Sequence, residues 1–280
     1  GNITFSGLVG DDQELGAVRV HAVNNVTISD AFKAQSYNQS VDPANQNDPP
    51  LPTAGMFTLS GDMTLTTGML QVVTQDIDLD ASVRTLAGGD DGDVMLLAAD
   101  TIDLKAGESI TTTAGTTDTD SAGILVASQN TVNLQGSLMT TGATGAAGGA
   151  VMVNAASALT VTTITTTGGA AAAGSNSDGA AAGSIDLWVD SGVITLQNST
   201  ISAIGGAGDN TGAQGAGASI VLDNDVVIAG GTAVVTTGDT AGDITFNYSI
   251  NSEDNGNSAS ALRGLALTAG SGNIDFNDAV

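Results

Sequence analysis

Short alternations of apolar and polar residues recur along the chain and predict β-strands. Each copy opens with a small residue and one spacer, and apolar side chains then occupy every second position. A period of two places these side chains on one face of a strand. The clearest copies start at residues 92, 122, 149, 183, 218 and 242, and looser copies start at Gly16 and Gly55. Recurrence at intervals of 24 to 35 residues indicates a repeat architecture.

Each copy is followed by two further alternations and then by a segment rich in Gly, Ala, Thr and Asp. Val94 and Leu96, for example, are followed by Ile102 and Leu104 and then by Ile110. Helix-capping signals are absent. Three short strands per unit of about 30 residues predict an all-β fold, a parallel β-helix of nine to ten three-stranded turns. We expect residues 1–280 to form this single domain, and we rank a barrel or a sandwich lower because both need hairpin turns.

One segment interrupts the rhythm. Residues 33–54 contain all four prolines of the chain, at positions 43, 49, 50 and 52, and are otherwise mostly polar. Because proline cannot donate a hydrogen bond to a ladder, we predict a long loop that projects from one corner. The loop is either a tolerated insertion or a contact loop, since long ordered loops often carry function.

The composition narrows the function classes. Acidic residues outnumber basic ones by 30 to 5 among 280 residues, the net charge is −25, and the basic residues are scattered. A chain without a basic patch does not hold a phosphate backbone, and anionic membranes repel it, so we expect no nucleic-acid partner. No apolar stretch of about 18 residues is present, so we expect no membrane insertion. With neither cysteine nor an initiator Met, we expect a secreted mature chain or a segment of a longer one.

Candidate catalytic groups are few. His21 is the only histidine, and it lies in an alternation that predicts a solvent-facing side chain. With one histidine and no cysteine, zinc-protease sites and Cys–His pairs are excluded. Asp76, Asp78 and Asp80 share one face of a strand, where they form either an exposed acidic edge or a catalytic or Ca²⁺ site. A β-helical polysaccharide lyase or hydrolase is therefore an alternative function, although the scarcity of basic residues disfavours it.

The stretch GGDDGDVML at 88–96 is a second candidate cation site. It resembles the nine-residue Gly- and Asp-rich Ca²⁺ repeat of secreted RTX proteins, but it occurs once and has Asp91 where that repeat has Gly. The candidate ligands are Asp90, Asp91 and Asp93, yet such sites need successive turns to complete the oxygen coordination. We therefore expect no required cofactor, with Ca²⁺ as the one candidate ligand.

Two outward columns on the first strand of each unit carry apolar side chains where a solvated face would be polar. Continuous apolar runs such as residues 94–97 are typical of strands that are buried on both faces. The cover is a protein partner, or it is the proline-rich loop or another segment of this chain; harmless exposure is the third interpretation. The predicted partner-contact residues are Met95, Leu97, Leu125, Met152, Trp188 and Val221.

The third strand of each unit presents threonine instead. Thr111, Thr165 and Ser202 point outward, and a second column contains Thr113, Thr141 and Thr167. Stacked threonines on a flat face are typical of ice-binding solenoids, but threonine also suits any exposed strand. The breaks at Met139 and Ile204 favour the exposed strand.

Three stretches carry a family resemblance. GNITFSGLV at 1–9, GAVRVHAVNNVTISDAF at 16–32 and LALTAGSGNIDFNDAV at 265–280 resemble the tandem phrases of filamentous-haemagglutinin-like large repetitive bacterial surface proteins, which are β-helical adhesins. The resemblance implies a secreted, elongated right-handed β-helix at the cell surface, used for adhesion or as a stalk. A surface glycan then becomes a candidate partner.

Similar phrases stand near the two ends, GNITFSGLV and GNIDFNDAV. We expect Ile3 and Phe5 to be equivalent to Ile274 and Phe276 at opposite ends of a stack of roughly 45 Å, with Phe276 over the position of Phe5 in the next copy. Neither end shows a polar or proline-bearing cap. We therefore predict a non-catalytic extracellular rod, structural or adhesive, which further copies of itself continue end to end. The alternatives are the polysaccharide-processing enzyme and a module that binds glycan, ice or Ca²⁺.

Overall fold

The computed structural model describes residues 1–21, 24–40, 52, 54–88, 92–114, 121–252 and 263–278. Within these ranges the chain is all-β, as predicted, and no α-helix occurs. The strands are β1 (Asn2–Phe5), β2 (Leu15–His21), β3 (Asn25–Ile28), β4 (Phe32–Ser40), β5 (Met56–Leu59), β6 (Met63–Leu65), β7 (Leu70–Leu79), β8 (Val83–Thr85), β9 (Val94–Leu104), β10 (Ser109–Thr113), β11 (Ile124–Ser128), β12 (Thr131–Thr141), β13 (Val151–Ala155), β14 (Ala158–Thr167), β15 (Ile185–Val189), β16 (Val193–Ile204), β17 (Ile220–Asp223), β18 (Val226–Ala229), β19 (Thr232–Thr236), β20 (Ile244–Phe246), β21 (Ile250–Ser252), β22 (Gly264–Thr268) and β23 (Ile274–Phe276).

These strands pair in parallel, and the pairings run in three series, here called the first, second and third ladders. The first ladder joins β2, β4, β7, β9, β11, β13, β15, β17, β20 and β23. The second joins β1, β3, β5, β7, β9, β12, β14, β16, β18 and β21. The third joins β4, β6, β8, β10, β12, β14, β16, β19 and β22, and Val9 forms a bridge to Phe32 at its start.

The register aligns the recurring alternations that the sequence pattern identifies. The first apolar residue of each clear copy pairs with its equivalent in the next copy. In the first ladder these residues are Val94, Ile124, Val151, Ile185, Ile220 and Ile244. Intervals of unequal length therefore return the chain to the same position in the ladder, so the length differences lie in the connecting segments.

The strand count per unit differs from the prediction. Six long strands, β4, β7, β9, β12, β14 and β16, each belong to two ladders. In β7, β12 and β14 the register shifts between the two ladders, as at a β-bulge, which bends a strand without ending it. Because long strands connect two ladders, the pairings also close a ring of seven parallel strands: β4, β6, β8, β10, β12, β9 and β7.

The core lies on the inward faces of the ladders and forms one continuous apolar cluster. Aliphatic side chains fill most of it, and most of its aromatic rings lie near the amino-terminal end. Phe32 packs edge to face against Phe5 at 5.4 Å between ring centroids and against Tyr37 at 5.8 Å. The Tyr37 hydroxyl donates to Gln39 Oε1 at 3.0 Å, and burial raises the pKa of Tyr37 above its ordinary value.

The predicted loop over residues 33–54 is wrong for its first eight residues. Residues 33–40 continue β4, with Ala34, Tyr37 and Gln39 buried and the residues between them more exposed. The polar composition made this alternation hard to recognise, because one of the inward residues is Gln39. Its side-chain oxygen can be buried because it accepts a hydrogen bond from the Tyr37 hydroxyl. The prolines at 43, 49 and 50 lie outside the described residues.

Three glycine- and alanine-rich connections, residues 142–150, 168–184 and 205–219, pack on one another and are here called the glycine layer. Backbone hydrogen bonds link them in sequence: Gly145 N donates to Ala170 O at 2.9 Å, and Ala171 N donates to Ala207 O at 2.8 Å. A Cβ atom added to Gly169 would overlap the carbonyl oxygen of Ala143. These residues are outside any strand, yet their backbones lie as close together as glycine allows.

Candidate functional site

The candidate partner surface lies on the outer face of the first ladder. Two outward columns cross this face in register. One contains Met95, Leu125, Met152, Asp186 and Val221, and the other contains Leu97, Ala127, Asn154, Trp188 and Asp223. The six predicted contact residues therefore lie on one face of adjacent strands, and we call them the outer patch: Met95, Leu97, Leu125, Met152, Trp188 and Val221.

The outer patch is unevenly exposed. Met152 and Trp188 are 51% and 50% exposed, whereas the other four residues are partly buried. Adjacent side chains in parallel ladders provide part of that burial, because neighbouring strands lie about 4.8 Å apart. The described residues therefore leave Trp188 and Met152 accessible, and a protein partner remains a prediction.

Polar groups flank Trp188 on the same face. Asn154 and Asp223 pair with Trp188 on the two neighbouring strands. Asp186 lies between Met152 and Val221, and burial against this apolar surface raises the pKa of its carboxyl above the ordinary value. Asp223 Oδ1 accepts a hydrogen bond from Asn247 Nδ2 at 3.1 Å. An exposed indole beside carboxylate and amide groups offers one apolar surface and several hydrogen-bonding groups.

The acidic residues considered for Ca²⁺ are engaged by the protein. Asp76 accepts hydrogen bonds from the amide and the hydroxyl of Thr101, the latter at 2.7 Å. Lys105 Nζ lies 3.4 Å from Asp78 Oδ1 and 3.3 Å from Asp80 Oδ1, and these carboxylates raise the pKa of Lys105. Thr101 is therefore the structural partner of Asp76, and Lys105 is the partner of Asp78 and Asp80. The sequence pattern did not indicate these contacts.

The glycine-rich Ca²⁺ candidate is only partly within the described residues. Asp93 Oδ1 accepts a hydrogen bond from the Gly123 amide at 2.7 Å, which joins two neighbouring strands of the first ladder. Asp90 and Asp91 lie outside the described residues. In the part of the chain that the structure describes, no group of three or more His, Asp or Glu side chains is placed to hold a metal ion.

The outward threonines of the third ladder lie in register as predicted. Thr111, Met139, Thr165 and Ser202 form one column, and Thr113, Thr141, Thr167 and Ile204 form the next. Met139 and Ile204 interrupt the two columns, and Ser202 is buried. The face is therefore irregular, which favours an ordinary exposed strand over a template for ordered water.

A set of inward threonines was not predicted from the sequence. Thr112, Thr140 and Thr166 are fully buried, and their hydroxyls donate to the carbonyl oxygens of Ala122, Gly149 and Gly183 at 2.6, 2.6 and 2.5 Å. Each bond joins the end of a third-ladder strand to the chain just before the next first-ladder strand. The spans are 10, 9 and 17 residues, so the same bond closes connections of different length. The sequence did contain a signal for these buried hydroxyls, because each of the three threonines lies between two outward positions and must therefore point inward.

The end strands are not equivalent, contrary to the expectation. Ile3 and Phe5 pair with Val26 and Ile28 in the second ladder, whereas Ile274 and Phe276 pair with Ile244 and Phe246 in the first. Ile274 and Phe276 are 39% and 40% exposed, and Phe276 stacks on Phe246 at 5.3 Å. Similar phrases occupy different ladders because the alternation Ile-x-Phe suits any inward strand position.

No known protein family matches the chain, and no similar curated protein or solved structure was found. Among the described residues no helix is long and apolar enough to cross a membrane.

Proposed function

We propose that the chain is a parallel β-helix of ten turns, each with one position in each of the three ladders, and that it forms a non-catalytic rod. The rod is a segment of a larger surface protein that stacks end to end. The observation that supports the proposal is the set of three series of parallel strand pairings. In the proposed stack, each turn of the chain adds one position to every ladder. Ten positions at about 4.8 Å give a stack of about 48 Å. Such a stack grows by adding turns, which suits a stalk.

The engaged carboxylates support a structural role over an enzymatic one. Asp78 and Asp80 share Lys105, and Asp76 anchors Thr101, so these groups hold adjacent strands together. The secreted, cell-surface location and the adhesive role rest on the resemblance of GNITFSGLV and its related phrases to filamentous-haemagglutinin-like adhesins. A net charge of −25 also suits a rod that remains dispersed outside the cell.

Electron microscopy of the purified chain at increasing concentration tests the rod. We expect particles of constant width whose lengths increase in steps of about 48 Å. Isolated particles that stay one unit long at the highest concentration would contradict end-to-end stacking.

A glycan-binding surface is the second candidate function, and the exposed face around Trp188 favours it. The indole offers a flat apolar surface for a sugar ring, and Asn154, Asp186 and Asp223 offer hydrogen bonds to hydroxyl groups. The acidic surroundings favour a neutral glycan. Because Trp188 is the only tryptophan, its fluorescence reports directly on the face. A saturable emission change with neutral oligosaccharides that Asn154→Ala weakens would support this function, and an unchanged emission would contradict it.

A further inference from the structure

The register of the ladders fixes which residues lie at equivalent positions in the two outermost turns. In the first ladder, Val18 and Val20 share inward columns with Ile274 and Phe276. In the second ladder, Ile3 shares an inward column with Ile250. If another copy is stacked beyond β23, the strand that pairs with β23 must belong to the first ladder. In that copy the outermost first-ladder strand is β2, whereas β1 belongs to the second ladder.

The outward column between these inward ones ends in opposite charges. Arg19 is its first described residue and Asp275 is its last, with nine strand-to-strand steps between them. Both side chains are exposed, and neither has an ion-pair partner among the described residues. Stacking the carboxyl-terminal turn of one copy on the amino-terminal turn of another places Asp275 beside Arg19. In a chain with 5 basic residues, this match of charge is a specific feature of the two edges.

The apolar parts of the two edges match as well. Ile274 and Phe276 remain partly exposed at one edge, and Ile3, Phe5 and Val18 pack only partly against the core at the other. Each outermost strand also presents backbone groups along an edge that has no partner strand among the described residues. Such edges are templates for a further parallel strand.

We propose that a second copy of this segment, joined covalently or associating freely, occupies these edges in one head-to-tail register. In this register β23 pairs with β2 of the next copy, β21 pairs with β1, and Asp275 lies beside Arg19. The proposal rests on the proposed end-to-end rod and adds its polarity and its residue pairs.

Single-cysteine variants test the register directly, because the chain has no cysteine of its own. Thr4 and Asn251 occupy one outward column of the second ladder, and both are exposed. In the proposed register a Thr4→Cys copy and an Asn251→Cys copy bring these positions about 4.8 Å apart, within the Cα separation of a disulfide. Mixing the two variants under mild oxidation is expected to give a disulfide-linked heterodimer.

The matched control is Thr4→Cys mixed with Asp275→Cys, which reports a stack in which β1 lies on β23. We expect this pair, and each single variant alone, to cross-link much more slowly than the Thr4 and Asn251 pair. Equal or faster cross-linking of the control would overturn the register while leaving the rod intact. No cross-link in either mixture, although rods are visible by electron microscopy, would also overturn the register, and the absence of rods would contradict the proposed function itself.

A charge exchange provides the second readout. Arg19→Asp is expected to weaken end-to-end association about two- to fivefold, the range of an exposed ion pair. Adding Asp275→Arg is expected to restore it in the double variant, measured by sedimentation at fixed salt. A double variant as weak as the single one would contradict the pairing of Arg19 with Asp275.

Discussion

The interior of the ladders and the glycine layer are both ordered, but different groups hold them together. In the ladders, side chains such as Leu196 and Ile164 are fully buried in one apolar cluster. In the glycine layer, residues 142–150, 168–184 and 205–219 bring backbone against backbone, with glycines where a Cβ atom would overlap a carbonyl. The stability of the ladders therefore depends on large side chains that fill the core. The stability of the glycine layer depends on the absence of side chains between the backbones. Opposite substitutions should damage the two regions.

Removing a core side chain should have the largest effect. Leu196 is fully buried in β16, so Leu196→Ala leaves a cavity in the cluster and is expected to lower the free energy of unfolding by about 3 kcal/mol. Val193 lies on the same strand and is 36% exposed, so Val193→Ala is the control and should have a small effect. Chemical denaturation of both variants measures the difference. Equal losses would contradict the inward and outward assignment of β16.

Adding one methyl group to the glycine layer should be nearly as damaging. Gly169→Ala pushes a Cβ atom into the carbonyl of Ala143, and the backbone must shift, so we expect a loss of about 2 kcal/mol. Gly16 has no atom near its Cβ position, so the same change there should be neutral. If thermal unfolding shows that Gly169→Ala is as stable as Gly16→Ala, the layer is not closely packed.

The threonine hydroxyls that join the two regions should have an intermediate effect. Thr140→Val keeps the shape of the side chain but removes the donor to the Gly149 carbonyl, so we expect a loss of about 1 kcal/mol. Thr85 is equally buried, and its hydroxyl has no hydrogen-bond partner among the described residues. Thr85→Val should therefore be neutral or stabilising. A larger loss at Thr85 than at Thr140 would show that these hydroxyls do not hold the connections.

The outer face should matter least. Burial raises the pKa of Asp186 in the folded chain above its ordinary value near 3.8, so stability falls as pH rises through the interval between the two values. Asp186→Asn removes this effect and is expected to be more stable than the natural chain at neutral pH by about a few tenths of a kcal/mol, because the group is largely screened by solvent. The advantage should vanish in acid below the ordinary value. A variant that is less stable at neutral pH would contradict the burial effect.

The ladders were predictable from sequence and the glycine layer was not. The alternation at Val94, Ile124 and Val151 fixes which side of each strand faces inward, and every copy satisfies it. The order of 168–184 depends on close backbone approach between segments that are distant in sequence, and no local pattern reports such contacts. The contacts of Lys105 with Asp78 and Asp80 could not be predicted from the sequence for the same reason, because they depend on which strands become neighbours.

The non-equivalence of the end strands has a related cause. Ile3 and Ile274 open similar phrases, and a period of two is satisfied in any ladder. Only the count of strands between them assigns one to the second ladder and the other to the first. Sequence similarity therefore showed that both phrases form strands with alternating inward side chains, whereas the strand pairing showed which ladder each strand belongs to.

Deleting one complete turn tests the central claim, a stack of repeated turns, most directly. Joining residue 123 to residue 151 removes β11, β12 and one connection, and it brings β13 into the register that β11 holds against β9. The control deletion of 124–136 is shorter but joins a first-ladder position to a third-ladder one. We predict that the 27-residue deletion folds cooperatively with the β-sheet circular dichroism of the natural chain, and that the 13-residue deletion does not. If the longer deletion unfolds the chain and the shorter one is tolerated, the turns are not interchangeable and the chain is not a stack of repeated turns.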